Sequence, residues 1–383
     1  MPFEFSTAAR IVFKSGAIAD LPQLAQEFGA RALLVAGRNT DRALPLARAL
    51  ENAGIAPTVF SVYGEPTLEM VRRGAALARH HCDLVIGFGG GSAIDAAKAI
   101  AALAANSGEP LDYLEVIGRA QPLDHAPLPF LAVPTTAGTG AEVTRNAVLG
   151  SPEHQAKASM RSPLLVAKIA LIDPELTLGV PPHVTASTGL DTLTQLIEPF
   201  VSVRANAMTD MFCTQGLHCV ATSLETVFRD GRDIHARESM SFASLLSGLA
   251  LSNAGLGVVH AFASPLGGML DAPHGALCAA VLPHAIAVNV RALRARAPAS
   301  DALRRYQETA RILTRQPDAA PEDLAAYAAA LCHRLAIPNL RRYNLDRGQI
   351  PELIEKTARA SSMKANPLPL TPQELTEIAE RAL

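Results

Sequence analysis

The segment that most constrains the fold runs from an apolar strand pattern, through three consecutive glycines, into an alanine-rich helical pattern. The apolar run is Cys82–Phe88, the glycines are Gly89, Gly90 and Gly91, and the helical pattern covers Ala93–Ala105. Glycine lets a backbone approach an anion without a Cβ atom in the way, and a helix N-terminus offers free N–H groups. The segment predicts a diphosphate site in which Ser92 caps the helix or donates to phosphate, with a ligand-free tight turn as the alternative.

A second loop of the same kind follows the apolar run Phe130–Val133. It covers Pro134–Thr144, and it supplies hydroxyl donors from Thr135, Thr136 and Thr139. Two such loops after neighbouring strands fit a nucleotide that lies across the strand ends of one sheet. The glycine cluster lacks the full spacing of the common dinucleotide-binding motif, so the two loops alone do not identify the nucleotide.

Strand-like and helix-like patterns alternate over the first part of the chain. Further short apolar runs are typical of strands and lie at Arg31–Ala36, Pro57–Val62 and Ile169–Ile172. The pattern changes at the proline-rich stretch Pro174–Pro182, beyond which alanine- and leucine-rich helical patterns dominate. The sequence therefore predicts an α/β domain with a mostly parallel sheet over residues 1–180 and an all-helical domain over residues 181–383.

Composition and charge exclude several classes of protein. A formal net charge of −2 and the absence of tryptophan argue against nucleic-acid binding, which favours basic stripes and aromatic stacking platforms.

The N-terminus has no apolar signal-peptide core, and the five cysteines form no CxxC pair, so we expect a cytoplasmic protein with reduced thiols. The uncharged stretch Ser239–Val259 is long enough for a membrane span, but its serines and glycines favour a buried helix.

The helical half contains side chains that suit a metal ion. Asp191 and Gln195 are four residues apart in a helical pattern, so they share a helix face. His260 and His274 follow on either side of an expected turn at residues 265–268. A carboxylate and two imidazoles are ligands for Fe²⁺ or Zn²⁺, which would polarise a carbonyl or alkoxide oxygen. Spacing alone leaves purely structural histidines as the alternative.

Taken together, several ordered motifs resemble the iron-containing (group III) alcohol dehydrogenase family. The resemblance extends over nearly the whole chain, and its stretches are GFGGGSAIDAAKAIA (87–101), PTTAGTGAEVTRNAVL (134–149), IALIDPELT (169–177), TASTGLDTLTQLIEPFVS (185–202), NAGLGVVHAFASPLGG (253–268) and HGALCAAVLPH (274–284). It implies a dinucleotide-binding N-terminal domain, an all-helical C-terminal domain that binds metal, and an active site in the cleft between them. The implied reaction is hydride exchange between NAD(P)(H) and a primary alcohol or aldehyde, in a homodimer or larger homo-oligomer.

The resemblance also implies roles for individual residues. Pyrophosphate contacts are expected at the glycine-rich turn, contacts to the diphosphate and nicotinamide at the threonine loop, and a contact near the nicotinamide ribose at a lysine. The residues carried over are Gly90, Gly91, Ser92, Asp95, Thr135, Thr136, Thr139 and Lys157 for the coenzyme, and Asp191, His260 and His274 for the metal.

The chain departs from the family pattern at two positions. The family places a histidine four residues after the aspartate, where this chain has Gln195. A glutamine oxygen can bind a metal but is a weaker ligand than imidazole, so we expect weaker metal binding or metal-independent chemistry. A second common histidine is replaced by Ser264, which with water becomes the expected proton donor. We expect His260, His274 and Ser264 to act in catalysis.

One position bears on coenzyme choice. Relatives that prefer NAD often carry an aspartate after the strand Arg31–Ala36, where this chain has Gly37 followed by Arg38. Without that carboxylate a 2′-phosphate is not repelled, and Arg38 can pair with it, so we expect NADP(H) to be accepted and favoured over NAD(H).

Three other functions stay open at this point. One is a maleylacetate reductase-like oxoacid reductase, although its threonine loop reads TTYAGSE where this chain has TTAGTGAE. Another is a glycerol-phosphate dehydrogenase-like or dehydroquinate synthase-like enzyme, against which the lack of a basic phosphate pocket counts. The third is a nucleotide-binding relative that has lost catalysis, which the two missing histidines suggest.

Overall fold

The computed structural model describes residues 3–154 and 156–383, and the chain divides into two compact units. The first unit comprises Ser6–Thr136 and Gly140–Thr177. The second comprises Leu178–Leu383 together with Ala137–Thr139 and the N-terminal segment that ends at Phe5. A single cut at residue 180, as the sequence predicts, assigns the N-terminal segment, Ala137–Thr139 and residues 178–180 to the first unit instead.

A six-stranded parallel sheet and a separate hairpin form the strands of the first unit. The strands are β1 (Arg10–Phe13), β2 (Arg31–Ala36), β3 (Ala56–Ser61), β4 (Leu84–Gly89), β5 (Phe130–Pro134), β6 (Asn146–Ser151), β7 (Ala156–Arg161) and β8 (Ile169–Ile172). The sheet order is β1-β8-β5-β4-β2-β3 with parallel pairing, and β6 pairs antiparallel with β7. The predicted α/β class is confirmed.

Strand order reverses between β2 and β4. The helices of this unit are α1 (Leu21–Gln26), α2 (Leu44–Asn52), α3 (Leu68–Ala78), α4 (Gly91–Ala105) and α5 (Pro110–Tyr113). The connection through α2 leads outward from β2 to β3, whereas that through α4 leads from β4 the opposite way to β5. Because such crossovers are right-handed, α2 and α4 cover opposite faces of the sheet. The reversal leaves a crevice at the carboxyl ends of β2 and β4, where open α/β sheets bind ligands.

Central strands are apolar because both faces of the sheet are covered. All residues of β4 and β5 are buried, and so is every residue of β2 after Arg31. Fully burying one of their Leu, Ile or Val side chains stabilises the fold by about 1.5–3 kcal/mol. The sheet therefore gives the loops at its edge a rigid base.

Helices make up the second unit. They are α6 (Pro182–Val201), α7 (Ala207–Arg229), α8 (Ile234–Ala254), α9 (Val258–Met269), α10 (His274–Arg296), α11 (Asp301–Thr314), α12 (Asp323–Arg334), α13 (Ile350–Arg359) and α14 (Pro372–Ala382). Helix α6 is the central one, since 16 of its residues from Thr185 onward are buried. The predicted all-helical C-terminal half is confirmed.

Two expectations about this unit, one on a buried helix and one on a turn, can be compared with the structure. The uncharged stretch Ser239–Val259 does not form one span, because α8 ends at Ala254 and α9 leaves it at an angle of 99°. Helix α10 is long and apolar enough to cross a membrane, but 78% of its apolar window is buried in the unit, as in the core helix of a soluble protein. The turn expected at residues 265–268 is wrong, since α9 continues through Pro265 to Met269.

Candidate active site

The loops that follow β2 and β4 lie side by side at the crevice of the first unit. Ala36 is paired with Phe88, so Gly37 and Gly89 follow at adjacent positions. A Cβ atom on Gly89 would lie 2.7 Å from Ala93 Cβ and 3.4 Å from the Gly37 backbone nitrogen. Glycine at position 89 therefore lets the turn pass tightly between α4 and the neighbouring loop. Arg38 is exposed beside this point.

Two of the predicted coenzyme loops contact each other. The Thr135 N–H donates to the Gly89 carbonyl at 2.9 Å, and a Cβ atom on Gly90 would lie 3.3 Å from Thr136 Oγ1. Helix α4 begins at Gly91 and has no acidic residue in its first turn. Its first N–H groups thus lie beside the threonine loop with no carboxylate of that turn to repel a phosphate.

Asp95 points into the protein. Its Oδ2 accepts the Val148 N–H at 3.0 Å, and its Oδ1 lies 3.6 Å from Lys98 Nζ. Burial raises the pKa of Asp95 to about 6, while the charge on Lys98 opposes that shift. A carboxylate held this way connects α4 to β6, and the pyrophosphate contact that the resemblance implies for Asp95 stays a prediction.

Two other predicted coenzyme residues lie in different surroundings. Lys157 on β7 forms an ion pair with Glu65, with 3.1 Å between Nζ and Oε1. Thr139 belongs to the second unit, where the adjacent Gly138 carbonyl accepts a hydrogen bond from Thr192 Oγ1 at 3.1 Å. The first unit thus brings together Gly37, Gly89, Gly90, Thr135 and Thr136, but not every residue that the resemblance implies.

Four potential ligand side chains converge in the second unit. They come from α6 (Asp191), α9 (His260) and α10 (His274 and Cys278), and one ligand atom of each lies within 4.8 Å of every other. Asp191 Oδ1 lies 3.5 Å from His260 Nε2 and 3.8 Å from His274 Nε2. The two imidazole rings are tilted at 51° with centroids 5.5 Å apart.

Close contact between α6 and α10 builds this cluster. A Cβ atom on Gly275 would lie 2.2 Å from the Ser187 carbonyl oxygen and 3.1 Å from Asp191 Cβ. Any larger residue would push the two helices apart, so glycine directly after His274 holds that imidazole beside Asp191. Gly275→Ala would move a ligand rather than merely loosen packing.

Two atoms of the cluster are buried without a hydrogen-bond partner. Asp191 is 1% exposed and His260 7%, and neither Asp191 Oδ1 nor His260 Nε2 has a hydrogen-bond partner among residues 3–154 and 156–383. An unpartnered buried carboxylate oxygen is costly unless a cation or donor satisfies it. These two atoms and the nearby imidazole and thiol are the donor set that divalent Fe and Zn accept, so the residues present fit a metal ion.

The charges of the cluster also favour a cation. Burial raises the pKa of Asp191, but the charges of His274 and His260 outweigh burial and lower it overall. Burial lowers the pKa of His260, yet the charges of Cys278 and Glu198 outweigh burial and raise it well above its usual range. The pKa of His274 is raised by Cys278 and Asp191 against the same opposing effect of burial. Such surroundings attract positive charge, either as protons or as a metal ion.

Glu198 orients His260. Its Oε2 lies 2.6 Å from His260 Nδ1, and its Oε1 accepts the Val259 N–H at 2.6 Å. Because a carboxylate only accepts, Nδ1 carries the proton and Nε2 faces Asp191. No residue pattern in the sequence marked Glu198, although it lies seven residues after Asp191 on the same face of α6.

Gln195 turns its amide nitrogen, not its oxygen, toward the cluster. Its Nε2 donates to Asp191 Oδ2 at 2.9 Å, and its Oε1 accepts from Ser247 Oγ at 2.9 Å. The acceptor-only carboxylate fixes this amide orientation. The oxygen that the sequence offered as a metal ligand is therefore bonded to Ser247, and Gln195 positions Asp191 instead.

Ser264, which the sequence predicts, and Cys278, which it does not, each lie one helical turn from a histidine of the cluster. Ser264 is half-buried on α9, four residues after His260. Cys278 is fully buried on α10, four residues after His274, with 3.7 Å between its Sγ and His274 Nε2. The spacing of four residues from His274 could have marked Cys278 as a ligand, whereas the cysteine pattern of the sequence indicates only a reduced thiol.

Comparisons with known proteins identify the family of this chain. The family description "Iron-containing alcohol dehydrogenase" matches residues 8–174, and "Fe-containing alcohol dehydrogenase family, C-terminal" matches residues 185–383. Alcohol dehydrogenase 4 of Saccharomyces cerevisiae (strain YJM789) is 33% identical over 87% of this chain and 85% of its own length.

Solved structures are similar over the full length. The alcohol dehydrogenase from Oenococcus oeni superposes with a TM-score of 0.92 at 28% identity and covers 100% of both chains. Sulfoacetaldehyde reductase from Bifidobacterium kashiwanohense, solved in complex with NAD⁺, has a TM-score of 0.86 at 28% identity and covers 99% of this chain and 98% of its own.

Proposed function

Because the chain belongs to the iron-containing alcohol dehydrogenase family and is therefore an NAD(P)-linked oxidoreductase of alcohols and aldehydes, we propose that its metal site is the cluster of Asp191, His260 and His274. The observation that carries the proposal is the pair of unpartnered buried atoms, Asp191 Oδ1 and His260 Nε2. Family membership implies both a metal ion and NAD(H). Fe²⁺ and Zn²⁺ both suit these donors.

The residues around the metal have separable tasks. When bound, the ion acts as a Lewis acid on the oxygen of the alcohol or aldehyde. Glu198 holds His260 with Nε2 toward the cluster, and Gln195 holds Asp191. These outer partners matter because they fix the orientation of the metal ligands, and losing one typically lowers metal affinity or activity about 10–100-fold.

Ser264 is proposed to hold the proton that the substrate oxygen receives. It lies one helical turn beyond His260 on α9, so both side chains share a face of that helix. Its hydroxyl and a water can pass the proton, since a donor needs only hydrogen-bond reach of the oxygen. Ser264→Ala is expected to lower kcat while leaving bound metal unchanged.

Coenzyme is proposed to occupy the crevice after β2 and β4, with its diphosphate at Gly90, Gly91 and Ser92. The crevice lies where strand order reverses, and α4 presents its N-terminus there. Exposed Arg38 beside Gly37 can pair with a 2′-phosphate, so NADP(H) is the proposed preference. The threonine loop and Lys157 are retained as proposed contacts from the family resemblance.

The cysteines indicate the location, and the family resemblance indicates the assembly. The five free cysteines suit a reducing compartment, and four of them are buried. We place the enzyme in the cytoplasm as a homodimer or a larger homo-oligomer. Light scattering on the purified protein measures the assembly directly.

The test combines coenzyme kinetics with two substitutions. A panel of primary alcohols and aldehydes is assayed with NADPH and NADH after loading with Fe²⁺ or Zn²⁺. Losing metal stabilisation of the substrate oxygen removes several kcal/mol, so His260→Ala and His274→Ala are expected to lower kcat by about a thousandfold. Coenzyme binding, measured by fluorescence, is expected to stay within about twofold, because the crevice is built by other residues.

His218→Ala serves as the control, since His218 is an exposed histidine on α7 in the same unit. Its kcat is expected to match the unaltered protein. Unchanged turnover in both active-site variants would reject the metal site. A higher kcat/KM with NADH than with NADPH would reject the coenzyme preference and leave the metal site standing.

A further inference from the structure

We propose that Cys278 is a fourth metal ligand, so that this chain binds its metal through Asp191, His260, His274 and a thiolate. The inference rests on the proposed metal site and adds to it a residue that the family pattern does not predict. Cys278 is fully buried on α10 and shares a helix face with His274.

Distances between the ligand atoms suit a shared ion. Metal–nitrogen, metal–oxygen and metal–sulfur bonds of about 2.0–2.3 Å place neighbouring ligand atoms of a four-coordinate ion about 3.3–3.8 Å apart. The observed separations are 3.5 Å for His260 Nε2 to Asp191 Oδ1, 3.8 Å for His274 Nε2 to Asp191 Oδ1, and 3.7 Å for Cys278 Sγ to His274 Nε2. The sulfur lies at a ligand-to-ligand distance from His274 and within 4.8 Å of the ligand atoms of Asp191 and His260, which is compatible with a shared ion.

Gln195 does not compete for this place. Its oxygen accepts from Ser247 and its nitrogen donates to Asp191, so the side chain turns its nitrogen, which is not a metal ligand, toward the cluster. The position that the family fills with histidine is therefore used here to orient Asp191. Cys278, reaching the cluster from another helix, supplies the missing donor.

The other buried cysteines show what an ordinary core thiol looks like in this protein. Cys332 donates to the Ala279 carbonyl at 3.3 Å, and Cys213 packs against Phe200 and Ala250. Neither belongs to the one cluster of potential metal ligands found in the described ranges, 3–154 and 156–383. The surroundings of Cys278 are instead two imidazoles and a carboxylate with an unpartnered oxygen.

A thiolate ligand predicts a spectroscopic signature independent of turnover. The purified protein is stripped of metal and loaded with Co²⁺, and its near-ultraviolet absorption is recorded. Thiolate bound to Co²⁺ gives an intense charge-transfer band, whereas imidazole and carboxylate do not. We expect this band in the unaltered protein, its loss in Cys278→Ala with Co²⁺ still bound, and its retention in Cys332→Ala. Zn²⁺ affinity of Cys278→Ala should fall at least about tenfold.

The outcomes distinguish the role of Cys278 from the metal site itself. Stoichiometric Co²⁺ without the band, or a band that survives in Cys278→Ala, would overturn the role of Cys278 and leave the metal site intact. Failure of the unaltered protein to take up Co²⁺ would overturn both. If Cys278→Ala does not fold, X-ray absorption at the zinc edge of the unaltered protein decides, with one sulfur at about 2.3 Å expected and none contradicting the proposal.

Discussion

Each unit of the protein buries charged side chains, and the two clusters differ in where their partners lie. In the first unit, Lys98 Nζ donates to Thr144 Oγ1 at 2.7 Å and to the Asn146 carbonyl at 2.8 Å, and it lies 3.6 Å from Asp95. Asp95 Oδ1 has no hydrogen-bond partner among the described residues either, but it faces this ammonium group, so the chain itself supplies the compensating cation. Buried charge of this kind holds elements together, here α4 against β6.

In the second unit, the chain arranges donors and leaves them facing one another. Asp191 Oδ1 and His260 Nε2 have no hydrogen-bond partner in the described residues, while the outer atoms of the same side chains are bonded to Gln195 and Glu198. The difference between the clusters separates a structural set of charges from a set built for an external partner. Burial and charge alone would not distinguish them.

Removing the central cation of the first cluster should have the largest effect on stability. Lys98→Met leaves Asp95 buried without its cation, and breaking such a pair destabilises a protein by about 3–5 kcal/mol. Urea unfolding measures the change, and Lys168→Met, an exposed lysine of the same unit, is the control with an expected effect below about 0.5 kcal/mol. Metal content per folded molecule should not change. A loss under about 1 kcal/mol would show that the chain does not depend on this internal compensation.

A pH experiment extends the comparison of the two clusters to Glu142 of the first unit, a residue that is 3% exposed. Burial raises its pKa from 4.5 to about 7, against its own backbone N–H and the charge on Lys98. The folded state therefore binds more protons than the unfolded state between these values, and the free energy of unfolding falls as pH rises through that range. Between pH 5 and pH 8, Glu142→Gln should become more stable relative to the unaltered protein by about 2 kcal/mol.

Melting temperatures at both pH values measure this effect. Glu51→Gln, at an exposed position on α2, is the matched control and should show the same pH dependence as the unaltered protein. Parallel pH profiles for Glu142→Gln and Glu51→Gln would mean that Glu142 is not held protonated by burial. The buried charges of the first cluster would then be stabilised by neighbouring groups more completely than their burial indicates.

The sequence predicted the fold because ordered motifs and strand–helix alternation extend over the whole chain. It also identified Asp191, His260 and His274 as candidates, since their residue types suit a metal. It did not predict the orientation of Gln195, because that depends on contacts with both Asp191 and Ser247, and Ser247 on α8 is distant in sequence. Local patterns carry no information about which atom of an amide such a neighbour will bind.

Cys278 and the helix through Pro265 illustrate the same limit. From its own segment alone, Cys278 is indistinguishable from a thiol of the hydrophobic core. Its proximity to Asp191 depends on the close approach of α6 and α10 at Gly275. Pro265 with two following glycines predicts a turn, yet α9 continues because Pro265 lies in its body and the helix packs into the unit. Tertiary packing overrides local propensity at both places.

The smallest expected effect tests whether positioning residues matter in the second cluster. Ser247→Ala removes the donor to Gln195 Oε1 and should weaken metal binding by about tenfold, as for other outer-shell partners of metal ligands. Ser241→Ala on the same helix is the control, since the Ser241 hydroxyl is buried without a hydrogen-bond partner among the described residues and its loss should be nearly neutral. Competitive titration with a chelating dye measures both affinities. Equal affinities would mean that Gln195 and Asp191 keep their places without the hydrogen bond from Ser247, and that this outer contact does not position the metal ligands.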